Sequence, residues 1–286
     1  MASPPSARAR RRAPACYDEP MPSVASAPRP GARLRRTLAG CALAGLVAGS
    51  PASGDGDPPP PAWAARLLAG YPGLVAAVTA REVILRDGAH FPIAATAMPT
   101  ASDQPARNIA DMFAEAYPAG NAAPPAPGAD PGRARFAPFF DHIYGDCRAG
   151  GVAPHLRAVA WMPGLARQTV MVTTVNGVAD RLEAVVRELA TLPPDVQRQL
   201  VPSAGTYVCR AIAGTSQRSM HSHGVAIDIA TSASDYWRWA GGEGARWRNR
   251  IDPRIVAIFE RNGFIWGGRW SHFDTMHFEY RPELLG

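Results

Sequence analysis

Two short segments constrain this chain more than anything else in its 286 residues. They are Ser219-Met220-His221-Ser222-His223-Gly224-Val225-Ala226-Ile227-Asp228, and Asp274-Thr275-Met276-His277 near the end. Together they supply two imidazoles and a carboxylate suited to a first-row metal, with a second carboxylate three residues before the last histidine. That set is what a one-zinc hydrolase needs: three protein ligands, an open position for water, and a base beside it. It also constrains topology. With Gly224 between His221 and Asp228, the chain can enter the site at His221, turn where no Cβ obstructs, and return along a strand projecting Asp228 inward. His277, on a third segment, closes the site from the opposite side.

On this reading His221, Asp228 and His277 are the metal ligands. Asp274 takes a proton from water and hands it to the leaving amine. Arg210, always charged, stabilises the oxyanion or holds the substrate carbonyl. Two residues compete for these roles. His223 would share a face with His221 if their segment were a strand. Glu279 is the alternative base, although a carboxylate two residues along a strand from a ligand is more often that ligand's hydrogen-bond partner. His272 is expected to contact solvent or substrate. Trp266, Trp270 and Phe278 read as core or pocket wall. Trp237, Trp239 and Trp247 lie in an Arg/Gly-rich stretch, 235–250, expected to form a loop over the cleft.

The net charge of +6 points to nucleic acid only until it is located. Residues 1–36 hold eight arginines against Asp18 and Glu19, giving 8 − 2 = +6, so the other 250 residues carry 22 arginines and 22 acids. No basic excess remains to attract a phosphate backbone. The basic head precedes an apolar run at 38–48, too short to span a bilayer and suited to a signal-peptide core, with Ala48, Ser50 and Ala52 offering cleavage sites. The expected organisation is a basic leader and signal peptide at 1–52, a linker at 53–62, and one catalytic domain at 63–286. The protein is then exported to the periplasm or cell envelope, with no integral membrane span after signal removal. Leu38-Ala39-Gly40-Cys41 spells a lipoprotein box but stands at the start of the apolar run, with no apolar core before the cysteine.

Every one of the 30 basic residues is arginine. Without lysine there is no Ser-x-x-Lys site, no P-loop and no pyridoxal Schiff base. Gly-x-Ser-x-Gly and His-Glu-x-x-His are absent as well. Cys16 and Cys41 fall in the leader, leaving Cys147 and Cys209. An oxidising compartment favours one disulfide between them, the alternative being two separate buried thiols.

Secondary structure reads as short mixed elements. A helix is expected at 64–68 and a hairpin at 83–93 around Asp87-Gly88. The strongest helix covers 179–192, with Leu182, Val185, Val186 and Leu189 on one face and Pro193-Pro194 ending it. Strands are expected at 206–210, 226–230, 264–266 and 277–280, with a helix opened by Asp252-Pro253 and stopped at Asn262-Gly263. Residues 121–135 read as an Ala/Pro/Gly loop, so the front third looks thinly structured. The fold class is α+β, a small antiparallel sheet flanked by helices.

Ser-x-His-x-x-Gly-x-Ala-x-Asp at 219–228, followed by acid-x-x-His, resembles the zinc D-alanyl-D-alanine carboxypeptidases (VanY-type and VanX-type) and the L-alanyl-D-glutamate endopeptidases. Gly205-Thr206-Tyr207-Val208-Cys209-Arg210 resembles that family's lead-in with its arginine. Gly263-Phe264-Ile265-Trp266-Gly267-Gly268-Arg269-Trp270 and His277-Phe278-Glu279-Tyr280 resemble its C-terminal core, so the likeness covers about residues 176–280. It implies a hedgehog/DD-peptidase-like fold and one zinc ion held by His221, Asp228 and His277. It further implies Asp274 as general acid/base, Arg210 and Ser219 on the substrate, and a peptidoglycan stem peptide as that substrate. The carboxypeptidase branches usually carry Glu where this chain has Asp274, and the endopeptidase branch has Asp, which tilts the expected bond towards L-Ala-D-Glu. The rival reading is a non-catalytic, zinc-stabilised module of the same fold that binds peptidoglycan or a partner.

Overall fold

Helix α1 (Ala64–Gly70) leads into an antiparallel meander of β1 (Val75–Val78), β2 (Glu82–Leu85) and β3 (His90–Pro92). The expected β2–β3 hairpin forms because Gly88 takes φ +90° and Asp87 accepts a hydrogen bond from the Ala89 N–H at 3.1 Å. There follow α2 (Ala137–Tyr144), β4 (Leu156–Trp161), β5 (Gln168–Thr173), α3 (Val178–Leu189), the one-turn α4 (Pro194–Gln197), β6 (Ala226–Asp228), α5 (Pro253–Arg261), β7 (Phe264–Trp266) and β8 (His277–Tyr280). The structure is a computed structural model describing residues 58–94, 105–120 and 123–286, which belong to one compact unit. The leader, the apolar run 38–48, Cys16, Cys41 and the first half of the linker lie outside these residues. No helix among the described residues is long and apolar enough to cross a membrane.

The architecture is α+β, as expected. Among the described residues the strands form three small antiparallel sheets rather than one: β1-β2-β3, the hairpin β4-β5, and β6-β8-β7. The last carries the site. Its register sets Asp228 opposite His277, Ile227 opposite Phe278, and Ala226 opposite Glu279. Helix α3 lays Leu182, Val185, Val186 and Leu189 against β4 and α5. Phe259 of α5 stacks on Phe278 of β8 at 3.9 Å. Each such side chain contributes about 1.5–3 kcal/mol by leaving water, so a rigid apolar platform lies directly behind the site strands.

Helix boundaries follow their caps. Asp252 accepts from the Arg254 N–H at 2.9 Å and Pro253 fills the first turn of α5. α3 stops short of residue 192 because Thr191 and Leu192 bond three residues back, to Glu188 and Leu189, tightening the last turn. The strand expected at 226–230 ends at Asp228, although the Ile229 N–H still donates to Met276 O at 3.0 Å.

Residues 206–210 do not form a strand. Their polar groups are spent on the turn at 220–223: the Val208 N–H donates to His221 O, the Arg210 N–H to Ser222 Oγ, and Thr206 O accepts from the His221 ring. Only Gly205 makes a ladder contact, with Asp228. The segment thus crosses over the turn at 220–223 instead of running beside a partner strand.

The front third is also more structured than its composition indicates. Leu67, Tyr71, Val75, Val83, Phe139 and Phe140 all join the main core. Their elements are three to eight residues long, too short to show a period, and long-range contacts hold them. Tyr71 packs edge-on against Phe139 at 5.3 Å and donates its hydroxyl to Glu283 at 3.1 Å.

Cys147 and Cys209 are joined in a disulfide, with Cα atoms 5.7 Å apart, closing 62 residues of chain. It ties the turn after α2 to the segment carrying Arg210. Cys147→Ser with Cys209→Ser should therefore lower unfolding free energy by about 4 kcal/mol in the chain-entropy model. A urea titration reads this directly as a drop in the transition midpoint.

Candidate metal centre and cleft

The candidate metal donors are placed by a turn, a strand and its neighbour. Residues 220–223 form one 3₁₀ turn, capped by Ser219, whose Oγ accepts from the His221 N–H at 3.4 Å. Gly224 then takes φ +69°, where a Cβ would meet Leu156 Cδ2 at 3.0 Å and Thr173 N at 3.1 Å. A larger residue would be strained in backbone and in space, so glycine is required at this reversal. β6 carries Asp228 out of it, and β8 supplies His277 in register.

The donor atoms converge. His221 Nε2 lies 3.2 Å from His277 Nδ1 and 3.2 Å from Asp228 Oδ1, and His277 Nδ1 lies 3.0 Å from Asp228 Oδ1. The three residues form a cluster that could hold a metal ion, every pair of donors lying within 4.8 Å. Each imidazole is anchored by its other nitrogen, His221 Nδ1 to Thr206 O at 2.5 Å and His277 Nε2 to Glu279 Oε2 at 3.0 Å. Such anchoring leaves a lone pair of each ring facing the carboxylate, the arrangement in which a carboxylate or carbonyl orients a metal-binding histidine. The electrostatics ask for positive charge at the same place. Burial works against a charged His277, but Asp228 and Glu279 on either side raise its pKa to about 9. Burial likewise pushes the Asp228 carboxyl up, yet the two imidazoles hold it well below the usual carboxylate range. A cation among these donors satisfies all of them, so the residues fit a metal.

Asp274 reaches the centre from a tight turn. Its N–H donates to Gly267 O at 3.0 Å and its carbonyl accepts from the His277 N–H at 3.2 Å. A Cβ on Gly267 would meet that Asp274 carbonyl oxygen at 2.5 Å, and one on Gly268 would strike the Trp266 ring at 2.2 Å. The Gly267-Gly268 pair is therefore what lets this turn close. Asp274 Oδ1 is buried and has no hydrogen-bond partner among the described residues. Burial, then the charge of Asp228, raise its pKa. A buried carboxylate oxygen left without a partner is costly to the fold, which makes this group, half-buried on the cleft wall, a candidate for chemistry.

Behind the donors runs a buried chain of charge. Glu279 accepts from Arg135 at 3.2 and 2.5 Å and from Arg281 at 3.1 Å, and Arg281 continues to Glu283 at 2.5 Å. Burial alone would raise Glu279, but Arg135, His277 and Arg281 hold its pKa far below the ordinary range. Glu279 thus stands where a partner of His277 should be, not where a base would face substrate. His223, the competing ligand, points away: its Nε2 lies 2.8 Å from Asp141, and it packs against Phe140 and Tyr144. The segment is a 3₁₀ turn rather than a strand, so two residues of separation do not share a face.

His221, Asp228, His277, Asp274, Arg210 and Ser219 all line one cleft of about 250 Å³. Arg210 is exposed on its rim, and its guanidinium hydrogen-bonds only to Ala211 O, at 3.4 Å, among the described residues. The 235–250 stretch does cover the cleft in part: Tyr236, Trp237 and Trp239 line it, while Trp247 turns aside to donate to Gly268 O at 2.9 Å. His272 joins the wall, held by Asp130 at 2.6 Å. Sequence reasoning missed Arg133 and Arg135, which come from the segment read as a plain loop. An Arg-x-Arg inside a Pro/Gly stretch was the available signal, and it has no spacing rule of its own.

Residues 213–280 match a family model described as D-alanyl-D-alanine carboxypeptidase, in agreement with the resemblance read from the motifs. The matched stretch contains Ser219, His221, Asp228, Asp274 and His277 and leaves out Arg210, Arg133 and Arg135. No curated protein matches the chain.

Proposed function

We propose that the chain is a zinc peptidase that hydrolyses peptidoglycan stem peptides, at a D-Ala-D-Ala or an L-Ala-D-Glu bond. His221, Asp228 and His277 hold the one zinc ion, which when bound supplies an activated water and polarises the scissile carbonyl. Asp274 accepts the proton of the attacking water on its carboxylate and returns it to the leaving amine. Arg210, on the rim, donates to the carbonyl oxygen as it gains charge, and Ser219 lies in the wall that the substrate backbone follows. Residues 63–286 form the catalytic domain, 53–62 a linker, and 1–52 the leader that exports it to the periplasm or envelope.

One observation carries this reading: two anchored imidazoles and the Asp228 carboxylate face one another while a fourth group, Asp274, lines the same cleft with its Oδ1 lacking a partner among the described residues. A structural zinc normally takes four protein ligands, so a three-donor centre with an idle carboxylate favours hydrolysis over a non-catalytic module. The test is digestion of purified peptidoglycan and synthetic stem peptides with zinc supplied, followed by mass spectrometry. Loss of terminal D-Ala identifies a carboxypeptidase; a new D-Glu amino terminus identifies the endopeptidase that Asp274 favours. A folded, zinc-loaded protein that cleaves nothing would leave the binding-module reading in its place.

A further inference from the structure

Arg133 is not explained by the chemistry above. Its side chain is 11% exposed, lies over the Trp270 ring at 5.3 Å, and lines the same cleft as Asp274. Among the described residues its guanidinium has one ion pair, Nη1 to Asp130 Oδ2 at 3.3 Å. That acceptor is shared: the same Oδ2 binds His272 Nδ1 at 2.6 Å, and Asp130 Oδ1 takes the His272 N–H at 3.0 Å. Its neighbour Arg135 is differently placed, with its fork already filled by Glu279. A guanidinium that is nearly buried, set over an indole and weakly paired has paid desolvation without a full return, which an anionic ligand would supply. Asp274 and Arg133 are close enough for each to influence the other's charge.

We propose that Arg133 receives a free α-carboxylate on the substrate residue whose nitrogen leaves. This rests on the peptidase reading and narrows it. If Asp274 protonates the leaving amine, the next atoms are that residue's Cα and its carboxyl group, on the wall where Arg133 stands. Both candidate bonds present the same chemistry. In D-Ala-D-Ala the leaving residue is C-terminal, and in L-Ala-D-Glu the stem continues through the side-chain carboxyl of D-Glu, leaving its α-carboxylate free. The planar fork of arginine suits a carboxylate bidentately and gains little from the neutral amide.

The experiment compares two zinc-supplied stem peptides that differ only in carboxylate or carboxamide at that position. The parent protein should cleave the carboxylate form about 10- to 100-fold better in kcat/KM, the range for a hydrogen-bonded charged partner. Arg133→Gln should lose that preference through a raised KM while cleaving the amide as the parent does. Arg133→Lys should keep part of it. Arg210→Gln should slow both peptides alike. A parent without preference, a preference that survives in Arg133→Gln, or an equal loss on both peptides would overturn the assignment. Calorimetric titration of both peptides onto zinc-loaded Asp274→Asn provides a binding readout. If neither peptide is cleaved but the carboxylate form alone binds, and Arg133→Gln abolishes that binding, the peptidase reading fails and the carboxylate site stands. Equal binding of the two peptides sinks the site itself.

Discussion

Asp274→Asn is expected to keep its fold and its zinc while losing about 100- to 10,000-fold in kcat, the usual worth of a positioned general acid/base. The asparagine has nearly the same shape, and its backbone contacts to Gly267 and His277 do not involve the side chain. It is not among the three clustered donors, so metal content by elemental analysis should match the parent. Stability gives the sharper contrast. Among the described residues Asp274 Oδ1 is buried without a partner, and its carboxyl is disfavoured as an anion by burial and by Asp228. Replacing it with a neutral amide removes a buried charge, so the metal-free variant should melt no lower than the metal-free parent. Such a pairing of lost activity with unharmed stability marks a group kept for function. A variant that loses zinc and activity together would make Asp274 a ligand or a strut instead.

Glu279→Gln is expected to act in the opposite way, through the fold and the metal. Glu279 is fully buried and joins Arg135, Arg281 and His277. Neutralising it leaves two buried guanidinium groups undercompensated, a change that costs about 3–5 kcal/mol where one partner of a buried pair is removed. It also loosens the acceptor that orients His277, and loss of such a partner typically weakens metal binding about 10- to 100-fold. Chemical denaturation of the metal-free protein reads the first effect, and zinc competition against a chelating dye reads the second. The carboxylate's contribution is present at every pH above the ordinary carboxylate range, because its folded pKa is depressed. It is lost only as strong acid protonates it. The exposed pair Arg157–Asp180 is a control that should change little when broken, since solvent screens it.

The site was legible in the sequence to the extent that its chemistry is local. His221, Gly224 and Asp228 are bound by a spacing that only one turn and one short strand can satisfy, and Asp274 and His277 sit on a single tight turn. Elements with strong caps or a full apolar face, α3 and α5, were readable for the same reason: caps and faces are properties of neighbouring residues. The strand expected at 206–210 failed because its residues alternate plausibly, but their hydrogen bonds go to a turn rather than a ladder. His223 was a fair competitor on spacing alone, and the 3₁₀ geometry of its segment decided against it.

The sequence by itself determined the His221–Asp228 reversal at Gly224, the Asp274–His277 spacing and the α+β class, because each depends on residues close together in the chain, while the meeting of His277 with His221 across 56 residues is tertiary. Only the tertiary structure decided what stands behind and opposite those donors. Arg135 reaches Glu279 across 144 residues, Tyr71 reaches Glu283 across 212, and Arg133 enters the cleft from a segment with no periodicity to read. Long-range ion pairs leave no spacing in a chain, since they are set by how the layers stack and not by how the backbone repeats.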